Sequence, residues 1–262
     1  MGRLKNPPVY FTLAQVRFNP ILTLADYLPH IQERMRKEGY PVYAKETVIT
    51  LKVETKEGQS LGPSPVPVER YKFGNVENTH SFLLDVSTLT LQSTDYGTFK
   101  TFSGEFMKAL TILHEAVSLD YTERVGLRYL DRVSPFGDDT LEQYLAPEVL
   151  GLGAKLGGTP EYSYCETLST FNDCRLMSRV VTQVGGPGLP PGLLLGELVI
   201  EPRFFENTGR HAILDNDGFT EKRETFSMQG IQGRLDSIHA IIRTAFEATA
   251  TPHAFRVWNG DV

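Results

Sequence analysis

Residues 121–133, YTERVGLRYLDRV, constrain this chain more than any other stretch. Val125, Leu127, Tyr129 and Val133 fall on alternate positions, and only a strand sends alternate side chains to opposite faces. One face then carries Thr122, Arg124, Gly126, Arg128, Leu130 and Arg132, and the other carries the apolar set with Tyr121, Glu123 and Asp131. A row of arginines on a strand is either a ladder of ion pairs to neighbouring strands or a surface that grips an anion. Both readings stand on the residues alone. Arg124, Arg128 and Arg132 are therefore the candidate binding residues, with Gly126 between them permitting close backbone approach.

The flanking pattern extends this strand into a fold. Phe99, Phe102, Phe106, Leu110, Leu113 and Val117 recur at helical spacing just before it. Earlier, residues 9–18 alternate as a strand that Asn19-Pro20 ends. Ile21, Leu24, Leu28, Ile31 and Met35 outline a helix that Gly39 terminates. Strands are predicted at 47–55, 68–75, 81–86 and 89–93, with KEGQSLGPSPVP between the first two reading as an exposed loop. The order β-α-β-β-β-β-α-β resembles a ferredoxin-like unit with an extra hairpin.

Beyond residue 134 the pattern predicts a short acidic helix near 139–145 and strands at 163–168, 175–184, 194–204 and 211–214. A helix over 231–248 follows, with Ile231, Leu235, Ile238, Ile242 and Phe246 on its apolar face. GGPGLPPG, residues 185–192, reads as a mobile surface hairpin, since its prolines and glycines suit neither a helix nor a central strand. Strands and helices that do not alternate strictly indicate an α+β fold of largely antiparallel sheets with long packing helices. The chain is expected to be a single domain, 1–262, with two halves at 1–134 and 135–262, and the pattern has room for two ferredoxin-like halves.

The formal net charge of −6 argues against a general electrostatic grip on nucleic acid, though not against a local basic patch. No apolar run approaches the roughly 20 residues of a membrane span. MGRLKNPPVYF lacks the apolar stretch of a secretory signal, and Asn6 stands where a myristoylation motif wants Ser or Thr. A cytoplasmic chain is expected, with Cys165 and Cys174 reduced and too few to build a zinc site.

Motifs for catalysis are absent. There is no GxSxG, no HExxH and no phosphate-binding GxxxxGK[ST]. His114 and His239 each follow a leucine by four positions and read as partly buried members of helix faces. An enzymatic reading would require one of them to face a pocket. Asp215 and Asp217, in LDNDGF, faintly resemble a calcium loop without its frame, and Asn216-Asp217-Gly218 reads as a turn. No cofactor and no metal is expected. Glu197 and Glu201, on the strand predicted at 194–204, are the candidate partners for the arginine row. Tyr71 and Phe73 either belong to the core or form a platform on which bases stack.

QVRFNPI at 15–21, the helix entry at 96–99, RVGLRYLDRV at 124–133, the turn at Asp215 and IHAIIRTAFEATATPHAF at 238–255 together resemble a sporadically distributed bacterial family of about this length. Members often carry Asn where Asp131 stands and Trp where Tyr71 stands. The resemblance implies no activity and no catalytic residue, and its patchy distribution is similar to that of mobile or antiviral-defence genes. The expectation is a non-catalytic protein-interaction subunit, of a bacterial defence assembly, using its sheet face or GGPGLPPG. The alternative is an RNA-binding module with ferredoxin-like halves, gripping phosphates through the arginine row.

Overall fold

The computed structural model describes residues 4–56, 59–190, 193 and 195–261. Its first half runs β1 (Val9–Phe18), α1 (Leu24–Lys37), β2 (Val42–Lys56), β3 (Gln59–Gly74), β4 (His80–Leu84), β5 (Thr88–Ser93), α2 (Phe99–Val117) and β6 (Tyr121–Val133). The second half follows with α3 (Leu141–Tyr144), β7 (Ser163–Phe171), β8 (Cys174–Val184), α4 (Arg203–Glu206), β9 (Arg210–Thr225), α5 (Met228–Thr249) and α6 (Pro252–Asn259). All nine described strands join one antiparallel sheet in the order β2-β3-β4-β5-β1-β6-β9-β8-β7. The fold is α+β, as the pattern predicts.

The first eight elements come in the predicted order, and β2-β3-β4-β5-β1-β6 is a ferredoxin-like arrangement lengthened by a hairpin. The second half differs: it adds a β9-β8-β7 meander to the free side of β6, without the opening β-α pair of a second such unit. Both halves therefore share one sheet.

Helices α1, α2 and α5 cover one face. Thr98 caps α2 by accepting the Thr101 N–H, and Ser227 caps α5 by accepting the Gly230 N–H. Leu28, Ile31 and Met35 of α1, Phe102, Phe106 and Leu110 of α2, and Leu235, Ile238 and Ile242 of α5 pack on Ala14, Val16, Val125, Leu127 and Tyr129. A smaller cluster at the end of the sheet joins Val133 and Leu214 to Tyr144 and Trp258. Among the described residues, the opposite face is covered only in part, where Leu198, Ile200 and Phe204 lie on Phe11, Leu130 and Ile213. No described helix is long and apolar enough to cross a membrane.

Three expectations are corrected. KEGQSLGPSPVP is largely strand, with Glu57 and Gly58 outside the described residues: β3 pairs with β2 from Val42↔Gly74 to Lys56↔Gln59. Pro65 and Pro67, two apart, share one backbone direction, and β4 pairs only with Tyr71–Gly74, so the missing N–H groups cost no ladder bond on the outer side. Residues 195–202 form no strand, and Leu194 lies outside the described residues. Their alternating apolar residues lie across the open face instead of joining it, with Gly196 at φ +57° and a Leu198 N–H to Leu195 C=O turn. Asn216-Asp217-Gly218 is no turn either, because β9 runs straight through it.

Candidate functional site

Register on the open face decides what the arginine row meets. Arg128 lies opposite Asp217 of β9, and Asp215 lies opposite Arg179 of β8. Arg128 donates from Nε to Asp215 Oδ1 at 2.6 Å and from Nη2 to Oδ2 at 2.7 Å. Arg179 donates from Nη1 to Asp215 Oδ2 at 3.1 Å and from Nε to Glu166 Oε2 at 2.7 Å, where the Tyr164 hydroxyl also donates at 2.6 Å. One hydrogen-bonded line thus crosses β6, β9, β8 and β7. Burial pulls the Arg179 pKa down, but Glu166 and Asp215 outweigh it and hold the guanidinium above its ordinary range. Burial raises the pKa of Asp217, and Arg124 and Arg128 oppose it only in part.

The other two arginines have different surroundings. Arg124 donates to Gln15 Oε1 at 3.0 Å, sits 3.8 Å from Asp217 and covers the Phe219 ring at 4.8 Å. It lies flat because Gly126 is bare: a Cβ there would stand 2.7 Å from its Nη1. The close approach that Gly126 permits is therefore made by Arg124 itself. Arg132 is 4% exposed and donates to the carbonyls of Gly185 and Asn207. Its Nε and Nη1 find no partner among the described residues.

Glu197 and Glu201 are not the partners of this row. Glu197 pairs with Lys72 at 2.5 Å and Glu201 with Arg203 at 2.7 Å, since their segment does not join the sheet. Tyr71 and Phe73 lie on the helix-covered face, 4% and 1% exposed, and present no stacking platform. Residues 185–190 are tied down, with Gly188 C=O accepting from the Tyr10 hydroxyl at 2.6 Å and Leu189 packed against Phe11 and its neighbours; 191 and 192 lie outside the described residues.

Beside this line opens a cleft of about 540 Å³, lined by Arg128, Arg179, Asp215, Tyr162, Tyr164 and Leu189. Two cations face the carboxylates of Glu166, Asp215 and Asp217, so the cleft carries no surplus positive charge for an anion. Its outer wall is β7, the last strand of the sheet. Arg179, Glu166 and Tyr164 escape a motif search, although Arg175 and Arg179 repeat the four-residue spacing of Arg124 and Arg128.

His114 is structural: its Nδ1 accepts the Leu119 N–H at 3.1 Å and its ring stacks on Phe226. His239 does face a pocket, on the helix-covered side, beside Tyr129. Cys165 and Cys174 are free thiols, and among the described residues no three His, Cys, Asp or Glu side chains gather as metal ligands. Compared with protein-family models and with curated proteins, the chain matches none.

Proposed function

We propose that this chain is a non-catalytic protein-interaction subunit that receives an extended segment of a protein partner along the outer edge of β7. The observation that carries this reading is the state of that edge. β7 ends the sheet with no strand beyond it among the described residues, yet Tyr164, Leu168 and Phe171 on it are 49%, 46% and 44% exposed. An unpaired edge with large apolar side chains is a template for strand addition, which native proteins otherwise blunt with charge, proline or short length. Main-chain bonds to β7 would supply affinity, and the cleft beside Tyr162 and Tyr164 would accept a partner side chain. The resemblance to a sporadically distributed bacterial family is the reason to look for that partner in a cytoplasmic defence assembly.

The RNA alternative has weaker support. Arg124 and Arg128 face carboxylates, Arg132 is buried, and the aromatic pair lies on the far side of the sheet.

A photo-crosslinking amino acid placed at Leu168, compared with one at Tyr27 on α1, tests the reading in native extract. The expected result is one protein adduct from position 168, lost on Tyr164→Glu and absent from position 27. An adduct that disappears on ribonuclease treatment favours the RNA alternative, and adducts equally strong from both positions overturn the edge.

A further inference from the structure

On the helix-covered face, past Tyr129, β6 brings Asp131 to a pocket of about 160 Å³ between the start of β1 and α5. Asp131 is 6% exposed, and no described residue hydrogen-bonds or ion-pairs with its carboxyl. Arg132 is held on the other face by backbone carbonyls, and Arg243 at the rim is engaged by Glu247 at 3.0 Å. Buried carboxylates are ordinarily paired, and one left without a partner in a native fold points to a group that is not part of the chain.

The polar groups around it are ordered. The Tyr129 hydroxyl donates to the Tyr96 oxygen at 2.9 Å, and its own oxygen lies 3.2 Å from His239 Nδ1. With its proton committed to Tyr96, Tyr129 accepts from His239, which assigns the neutral ring its Nδ1–H tautomer. Phe99 fixes that ring by stacking at 4.0 Å and 3°. The Tyr96 hydroxyl hydrogen then has no acceptor among the described residues. Pro8, Ile242 and Phe246 make the remaining wall apolar.

We propose that this pocket binds a small primary amine, its ammonium donating to Asp131 and its short apolar stem lying against Pro8, Ile242 and Phe246. An ammonium supplies both the missing charge and the missing donors, whereas an anion would meet the carboxylate. A single carboxylate among tyrosines offers too few oxygens for a hard cation. The volume equals about five waters at ~30 Å³ each, room for an ammonium and roughly four to six carbons. Over the neutral range Asp131 is the group that titrates. Burial pushes it up to about 7, while burial lowers His239 and raises Tyr96 and Tyr129, the other titratable groups facing it, and Arg243 at the rim is held by Glu247.

The test is titration of the full chain with n-butylamine and with n-butanol, followed by amide NMR shifts. Saturable shifts centred on Tyr129 and His239 are expected for the amine, with the alcohol at least about tenfold weaker. Affinity is expected to rise between about pH 6 and pH 8, as Asp131 gives up its proton while the amine keeps its own. Asp131→Asn, with a melting temperature at or above that of the wild type, is expected to lose at least about tenfold. Tyr96→Phe should weaken binding and leave the pH profile in place. Equal binding of the alcohol, undiminished binding by Asp131→Asn, or no saturable shift overturns the site. If Asp131→Asn does not fold, an affinity that is flat from about pH 6 to pH 8 in the wild type rejects it.

Discussion

Arg128 and Asp215, on adjacent strands, share two hydrogen bonds of 2.6 and 2.7 Å, and the Asp215 side chain is 1% exposed. Arg179 closes the other side of the same carboxylate at 3.1 Å. A buried carboxylate between two guanidinium groups holds the open face together more than it advertises it. Asp215→Ala leaves Arg128, 14% exposed, and Arg179 without the buried carboxylate they share and is expected to cost about 3–5 kcal/mol. Arg128→Met combined with Asp215→Leu, which removes charge from both sides, is expected to recover most of that loss. Urea unfolding midpoints check both; a loss below about 1 kcal/mol for Asp215→Ala would mean that the pair is not structural.

A second prediction concerns the end of β1. Asn19 Oδ1 accepts the Asp120 N–H at 2.9 Å and its Nδ2 donates to Asp120 Oδ2 at 2.9 Å. Asn19 is buried, so Asn19→Ala strands both partners and is expected to destabilise by about 1–3 kcal/mol. Chemical denaturation with an unchanged m-value is the measurement. A midpoint equal to that of the wild type would show that water replaces the side chain without loss.

Asn19 ends β1 as the Asn19-Pro20 pair predicts, while its bonds to Asp120 depend on a strand pairing that the sequence does not show. QVRFNP and YTERVGLRYLDRV are neighbouring antiparallel strands, Gln15 meeting Arg124 and Arg17 meeting Glu123, so their unusual residues answer one another. The helices were legible because each lays one continuous stripe on one sheet, which period alone reveals. Asp215 to Gly218 was not. Its letters satisfy turn chemistry, but β6 and β8 pair with it on both sides, and Arg128, 87 positions away, holds Asp215. Residues 195–202 alternate because they lie across a face of the sheet, and a covering segment has the same pattern as a pairing one. The arginine row was visible on its strand, while its partners depended on register, which a single sequence does not contain.

Two glycines, one pressed against α5 and one on its exposed side, give predictions of opposite sign. A Cβ on Gly218 of β9 would stand 2.5 Å from Ile238 Cγ2 and 3.2 Å from Ile242 Cδ1, against the buried face of α5. Gly218→Ala therefore overpacks the sheet–helix contact, at about 1–3 kcal/mol, which lowers the melting temperature by roughly 2–10 °C. Gly233, inside α5, is exposed and has nothing within 4 Å of a Cβ, so Gly233→Ala is expected to stabilise by about 0.5–1 kcal/mol. Thermal denaturation of the two variants side by side checks the signs, and a stabilising Gly218→Ala would show that α5 yields easily.

Asp131 makes stability depend on pH in the direction opposite to a salt-bridged carboxylate. Burial raises its pKa from 3.8 to about 7 in the folded chain. Between those values the native state holds a proton that the unfolded state has released, so its contribution to stability falls as pH rises through this window and is level outside it. The full difference, at one factor of ten per unit, is on the order of 4 kcal/mol. Asp131→Asn removes this dependence. Unfolding free energies of wild type and Asp131→Asn are therefore expected to coincide near pH 4 and to separate progressively up to about pH 8, with the variant the more stable. Subtracting the two curves cancels every other titrating group, so parallel curves would show that the carboxyl has free access to water, and a wild type that gains on the variant as pH rises would show a cationic partner. Saturating n-butylamine is expected to narrow the gap at about pH 8 by stabilising the wild type alone, because a ligand that binds only the native state adds its binding free energy to folding.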